Sequence, residues 1–315
     1  MRKDNIKRIA SGIIISNLLG VLMVWLGIVL VKSEQIDNNS IYITLDFILT
    51  PIIMGLITPF FWENKNEENT LKIKFFKDID LLLITFLIAI ALCFLILKEG
   101  AICLLIVSPI ILAMMMLGQY FGKIILIKRN NKVNVSFILM FLLLFIYDAF
   151  AIHNFQTSVS DSIIINSPVE KVWKNVAAYD SINEPSKFWM FDIGLPMPIA
   201  TTVTGFAQGE KRNCIFSNGA VFNEYMDEYI PNQRLTFRIT SQPKDPEIIG
   251  HLEIQKGQFV LKDNGNGSTT LTGTSWYKLR VYPAWYFNYW AESITRNVHL
   301  RAMEHIKNLS EKNVL

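Results

Sequence analysis

Residues 163–173 read Ile163-Ile164-Ile165-Asn166-Ser167-Pro168-Val169-Glu170-Lys171-Val172-Trp173. The branched residues at the front, stiff at χ1, suit a pleated surface, so a strand is expected over Val159–Asn166. Ser167 then reads as a helix N-cap, Pro168 as the first helical residue and Glu170 as the acid at N3. That helix is expected to continue through Val172, Trp173 and Val176.

Downstream, residues 180–200 are loop-rich, with Pro185, Pro196 and Pro198. Strand candidates follow at Thr201–Phe206, Lys211–Phe216, Val221–Tyr229, Arg234–Ser241, Gly257–Lys262 and Ser268–Leu279. Asn218-Gly219 joins the second to the third, and Asp263-Asn264-Gly265-Asn266-Gly267 joins the last two; both are hairpin signals. Pro283 opens a helical stretch that runs to about Ser310. Its Phe287, Trp290, Ala291, Ile294, Val298 and Ala302 recur at i+3/i+4 spacing, with Glu292, Arg296, Glu304 and Lys307 on the other side. An antiparallel sheet wrapped around one long C-terminal helix makes an α+β domain. The space between a curved sheet and its helix is a natural place for an apolar cavity, the usual form of a small-molecule site.

Upstream the pattern is different. Five apolar runs occupy Ile9–Val31, Ile41–Phe61, Ile79–Leu97, Ala101–Gly122 and about Val133–Ala151, each of 19 to 23 residues. A helix of that length crosses a hydrocarbon core of about 30 Å. The first run is too long for a cleaved signal peptide. The expectation is a five-helix transmembrane bundle over 1–155 and a ligand-binding domain over 156–315. Lys and Arg number four before run 1, one after it, four after run 2, one after run 3 and four after run 4. This alternation places the N-terminus in the cytoplasm. Five crossings then put the C-terminal domain outside it, in an integral protein of the cell membrane. That step depends on the fifth run, which carries Asp148. Asp46 and Asp148 both fall near the outer ends of their runs and read as solvated end residues rather than as an ion pathway.

Composition agrees. Of 315 residues 51% are hydrophobic and 18% charged, against about 25% charged in an ordinary globular domain. Mean hydropathy is +0.31. These values exclude a disordered chain and a disulfide scaffold. The net charge of +3 lies wholly in the first 155 residues, fourteen basic against eleven acidic, where it reads as loop charge and not as a nucleic-acid footprint. Cys93, Cys103 and Cys214 show no pairing or zinc spacing. His299 and His305 share the last helix but lie six apart, roughly 240° around its axis, so they do not chelate one metal. No phosphate-loop, dinucleotide or nucleophile-elbow glycine motif occurs. No redox or metal cofactor is implied. The abundance of Ile, Lys and Asn points to a low-GC, bacterial genome.

The stretch Ile163–Trp173 resembles the opening of START-like, helix-grip domains, the superfamily of polyketide cyclases, lipid carriers and Bet v 1-like proteins. Gly209-Glu210-Lys211-Arg212-Asn213-Cys214-Ile215-Phe216-Ser217-Asn218-Gly219, Leu271-Thr272-Gly273-Thr274-Ser275-Trp276-Tyr277 and Val281-Tyr282-Pro283-Ala284-Trp285-Tyr286 are similar to stretches in bacterial members, as is His299-Leu300-Arg301. The resemblance covers about residues 159–312 and leaves the first half unassigned. It implies a hydrophobic cavity for a lipid, polyketide, sterol or similar ligand. The group shares no universal catalytic residues, so none is carried over.

Candidate ligand residues follow from the residues themselves. Arg212, Cys214 and Phe216 alternate onto one strand face; turned inward, Arg212 would hold an anionic head group. Glu224 and His251 are candidates for acid–base work. Trp276, Trp285 and Trp290 belong to an aromatic group read as core, as an interfacial belt or as a cavity wall. The expected function is membrane-anchored binding of a lipid or other hydrophobic small molecule. Alternatives are a cyclase- or hydrolase-like enzyme in the same cavity, or transport or signalling through the membrane half.

Overall fold

The computed structural model describes residues 2–33, 44–62, 79–127, 139, 142–143, 146–147, 155–245, 247 and 252–312. The chain divides into two compact units, Met1–Ile152 and His153–Leu315.

The first unit contains α1 (Arg2–Ser33), α2 (Thr44–Trp62), α3 (Ile79–Leu92, continued as a π-helical turn over Cys93–Leu97) and α4 (Ala101–Ile127). Three stretches are long and apolar enough to cross a membrane: Ile6–Leu26, Ile79–Ile96 and Ala101–Ile125. The apolar part of α2, Phe47–Trp62, is shorter. The fifth expected run, 133–151, lies almost wholly outside the described residues, as do Asp148 and the basic segments 63–78 and 128–132. α2 and α4 approach closely at Gly55 and Gly118. A Cβ on Gly55 would lie 2.0 Å from the Met115 carbonyl oxygen, and one on Gly118 2.0 Å from that of Ile52. The outer surfaces carry exposed Leu18, Leu22, Leu87 and Leu105.

The second unit begins with β1 (Phe155–Ile165), then α5 (Val169–Trp173) and α6 (Trp189–Asp192). A meander follows: β2 (Pro198–Val203), β3 (Lys211–Phe216), β4 (Val221–Ile230), β5 (Arg234–Ser241), β6 (Leu252–Asp263) and β7 (Thr269–Leu279). The long helix α7 (Ala284–Glu311) ends the unit. The seven strands form one sheet in the order β1-β7-β6-β5-β4-β3-β2, and every neighbouring pair is antiparallel. This is the helix-grip arrangement.

Local chemistry accounts for the corners. Gly219 and Gly265 turn the two expected hairpins with φ of +81° and +76°, a region that costs glycine little. Asp263 Oδ1 accepts the Gly265 N–H at 2.8 Å. The start of α5 differs from expectation by one residue. Pro168, in extended conformation, precedes the first helical residue, and Ser167 makes no cap. The Ser167 carbonyl instead accepts the Thr269 hydroxyl at 2.8 Å, tying the strand end to β7.

The core lies between the sheet and α7, where Ile165, Val172, Met226, Leu235, Leu271, Met303 and Ile306 are buried. Gly273 lets the helix approach; a Cβ there would lie 2.6 Å from the Met303 sulfur. The helix is also tied to the loop before β2 and to the first residue of that strand. Arg301 donates to the Pro198 carbonyl at 3.2 Å and the Glu184 carbonyl at 3.0 Å. His305 Nδ1 meets the Glu184 carboxylate at 2.9 Å. Asn308 donates to the same carboxylate at 3.0 Å.

Candidate functional site

Toward the β3–β5 side of the sheet the packing opens into a cavity of about 140 Å³. Its walls are mostly apolar. Phe216, Phe222, Phe237 and Ile254 come from the strands, and Ile294 and Val298 from α7. Gly257 pairs with Phe237 across β5 and β6. A Cβ on Gly257 would lie 2.4 Å from the Phe237 ring, so that ring keeps its place only over a glycine. The volume is close to that of an engineered cavity that takes up benzene. It accommodates one ring or a short chain.

Two groups of polar side chains reach this space. On the sheet side, the register of the β3–β4 hairpin sets Arg212 opposite Glu224. They form an ion pair, with Arg212 3% and Glu224 5% exposed. Arg212 Nε donates to the Ala177 carbonyl at 3.0 Å, and the guanidinium lies 4.5 Å from the centre of the Phe237 ring. Burial pushes Glu224 above the ordinary carboxylate range, and Arg212 works against that shift. Burial works to lower the Arg212 pKa, yet Glu224 leaves it raised. Cys214 stands on the same face. Burial, and then the Glu224 charge, push its thiol up to about 12. It stays protonated at neutral pH and is no nucleophile. Burial likewise raises Tyr179.

On the helix side stand Thr295, His299 and, from β7, Ser275. His299 is 6% exposed. Its Nε2 lies 2.9 Å from Asp161 Oδ2 on β1, and its Nδ1 lies 3.4 Å from Ser275 Oγ. Arg296 donates to both oxygens of Asp161, at 3.1 and 3.0 Å. Burial lowers the His299 pKa, the Asp161 hydrogen bond opposes this, and Arg296 adds to the lowering. Thr295 is 5% exposed, and its hydroxyl finds no hydrogen-bond partner among the described residues. A helical threonine ordinarily has the i−4 carbonyl within reach.

The residues singled out from sequence therefore separate. Arg212, Cys214, Phe216 and Glu224 all line the cavity. Arg212 is already matched by Glu224, which alters the head-group role expected of it. Trp276, Trp285 and Trp290 are not among the lining residues. Trp276 is on the opposite face of β7 from Ser275, under the Lys256 ammonium at 4.9 Å from the ring centre. Trp285 is 78% exposed. Trp290 is half-buried, its ring edge-on to Tyr289. The reason is alternation: on β7 the odd-numbered residues turn toward α7, so Tyr277 is buried and bonds Asn288 at 2.9 Å while Trp276 is not. The aromatic group is thus not the cavity wall. His251 lies outside the described residues. Asp161, Ser275, Thr295 and Gln258 were not singled out, although Asp161 is the one charged residue on the strand face that carries Val159, Ile163 and Ile165. Among the described residues no three His, Cys, Asp or Glu side chains are grouped to hold a metal ion.

No family model matches the chain, and no curated protein matches it in sequence. Solved structures do match, over its C-terminal half. An aromatase/cyclase from Streptomyces sp. R1128 is 14% identical, with 51% of this chain and 97% of that one covered and a TM-score of 0.37. A truncated norcoclaurine synthase from Thalictrum flavum is 10% identical, covering 52% and 97%, with a TM-score of 0.35. A Mesorhizobium loti protein is 17% identical, covering 50% and 100%, with a TM-score of 0.34.

Proposed function

We propose that the C-terminal unit binds a small, mainly apolar molecule carrying one hydroxyl or carbonyl group, and that the N-terminal helices hold it at a membrane. One observation carries the binding reading. Thr295 lines an apolar cavity of about 140 Å³, and its buried hydroxyl, Oγ1, has no partner among the described residues. An orphaned buried hydroxyl costs about 1–3 kcal/mol. A ligand that bonds it recovers that cost and gains orientation, as in sites where a few polar groups fix an apolar guest. The volume favours a phenol, a short-chain alcohol or a similar ketone over an intact lipid. For the membrane reading, the support is the three long apolar helices and their exposed leucines. On the loop-charge count the N-terminus is cytoplasmic, and a crossing by residues 133–151 sets the binding domain on the other side.

Native mass spectrometry of the full chain, released from nanodiscs and followed by solvent extraction, tests the binding. A reproducible small hydrophobic guest is expected, and Val298→Trp, which fills the cavity, should lose it. A guest retained by the filled variant, or an empty protein that takes up neither phenol nor cyclohexanone, would count against it.

A further inference from the structure

The polar groups on the α7 side of the cavity have an order that ligand binding alone does not require. His299 Nε2 faces a carboxylate, Asp161, and so carries the ring hydrogen and donates it. Nδ1 is then the lone-pair nitrogen, and it faces the Ser275 hydroxyl at 3.4 Å. That contact is long, as contacts between a nucleophile and its base commonly are before substrate binds. Thr295 precedes His299 by four residues, which sets the two side chains on one helix face. Thr295 lines the same cavity, and its hydroxyl is buried. Asp161 is held from the other side by Arg296, which also pairs with Glu292. A contact that served only to anchor α7 on the sheet would need Asp161, Arg296 and His299. It would not account for a serine on the free imidazole nitrogen or for a threonine hydroxyl left unpaired one turn earlier on the helix.

We propose that Ser275, His299 and Asp161 form a nucleophile relay, with the Thr295 hydroxyl as oxyanion donor, acting on a small aryl or short-chain ester held in the cavity. The proposal rests on the cavity admitting a ring-sized molecule. Ser275 Oγ attacks the ester carbonyl carbon while its proton passes to His299 Nδ1. The carbonyl π electrons move to oxygen, where the Thr295 O–H donates to them. Collapse re-forms the carbonyl and breaks the ester C–O bond, and the leaving oxygen takes the proton from Nδ1. Water then attacks the acyl-serine, giving its proton to Nδ1. The acid departs as Ser275 recovers a proton from the same nitrogen. The sum is ester plus water giving acid plus alcohol. Asp161 touches no reacting atom. It is a positioning residue that holds the ring in one tautomer and stabilises the imidazolium. Burial keeps His299 below its ordinary range, so the base is neutral at pH 7.

The test uses the full chain in detergent micelles with phenyl acetate, reading phenol release and the site of acetylation by peptide mass mapping. Wild type should become acetylated at Ser275, and Ser275→Ala should not. Thr295→Val should slow acetylation about 10²-fold, the usual effect of losing one oxyanion donor, and Thr295→Ser should restore it. Asp161→Asn should slow acetylation far more than it weakens phenol binding, a split that a purely structural residue would not produce. Calorimetric titration with phenol runs alongside. Phenol binding without acetylation at Ser275, or acetylation confined to lysines, overturns the relay and leaves the binding site standing. Absence of both phenol binding and acetylation overturns the two together.

Discussion

On the β3–β4 side of the cavity Arg212 and Glu224 answer each other, and the Ala177 carbonyl and the Phe237 ring take up what remains of the guanidinium. On the α7 side, Thr295 keeps a buried hydroxyl with no partner among the described residues, and His299 turns a free nitrogen toward a serine. Both groups are buried and both line the same space. The difference is whether their hydrogen-bonding capacity is spent. A matched buried pair resists rearrangement, because breaking it leaves a charge in a poor dielectric. An unmatched hydroxyl has capacity left for a guest. Burial alone therefore does not mark a functional side chain; unspent capacity beside open volume does.

The largest effect should come from breaking the matched side. Glu224→Ala strands the Arg212 charge and should cost about 3–5 kcal/mol in chemical denaturation, whereas Arg212→Met with Glu224→Leu should be near neutral. If the single change costs no more than the double, the pair is not the closed unit described. Next, Thr295→Val should weaken phenol binding five- to tenfold, about 1 kcal/mol, without lowering the melting temperature, since no hydrogen bond within the protein is lost. A clear fall in melting temperature would mean that the hydroxyl is already partnered. The smallest effect concerns acid. Burial lowers His299, so the unfolded chain takes up its proton more readily, and stability should begin to fall below about pH 6.5. For Glu184, burial would raise the pKa, but hydrogen bonds from Asn308, its own backbone and His305 hold it at about 2. Its contribution is present above pH 4.5 and should be lost between pH 4.5 and about 2. Acid unfolding followed by circular dichroism should show the lower step diminished in Glu184→Gln and the upper step diminished in His299→Gln.

Much of the fold was legible because the signals were local. Asn218-Gly219 and the Asp263–Gly267 turn mark their hairpins within a residue or two of where they form, and the apolar spacing of Phe287 to Ala302 marks α7. The start of α5 lies one residue past its sequence signal: Pro168 takes the cap position, and Ser167 is held through its carbonyl by Thr269, about a hundred residues away in sequence. Half of the site was also within reach. Counting back along the hairpin from the Asn218-Gly219 turn places Glu224 opposite Arg212, so their pairing followed from the register. The tryptophans misled because an aromatic cluster in sequence says nothing of face; strand alternation sends Trp276 away from the cavity and Tyr277 toward the helix. The α7-side group had no local signature. Asp161, Ser275 and His299 come from the first strand, the last strand and the final helix, and only the β1–β7 pairing brings them together. The visible hint was a carboxylate, Asp161, alone among uncharged residues on its strand face.

The most direct test of the binding reading is a calorimetric comparison of phenol and toluene, on the full chain in detergent micelles, for wild type and Thr295→Val. Both ligands should bind the wild type. The variant should lose affinity for phenol and keep or gain it for toluene, so that the ratio shifts about five- to tenfold. An identical ratio in the two proteins, or no heat from either ligand with the wild type, would contradict a cavity in which the Thr295 hydroxyl selects the guest.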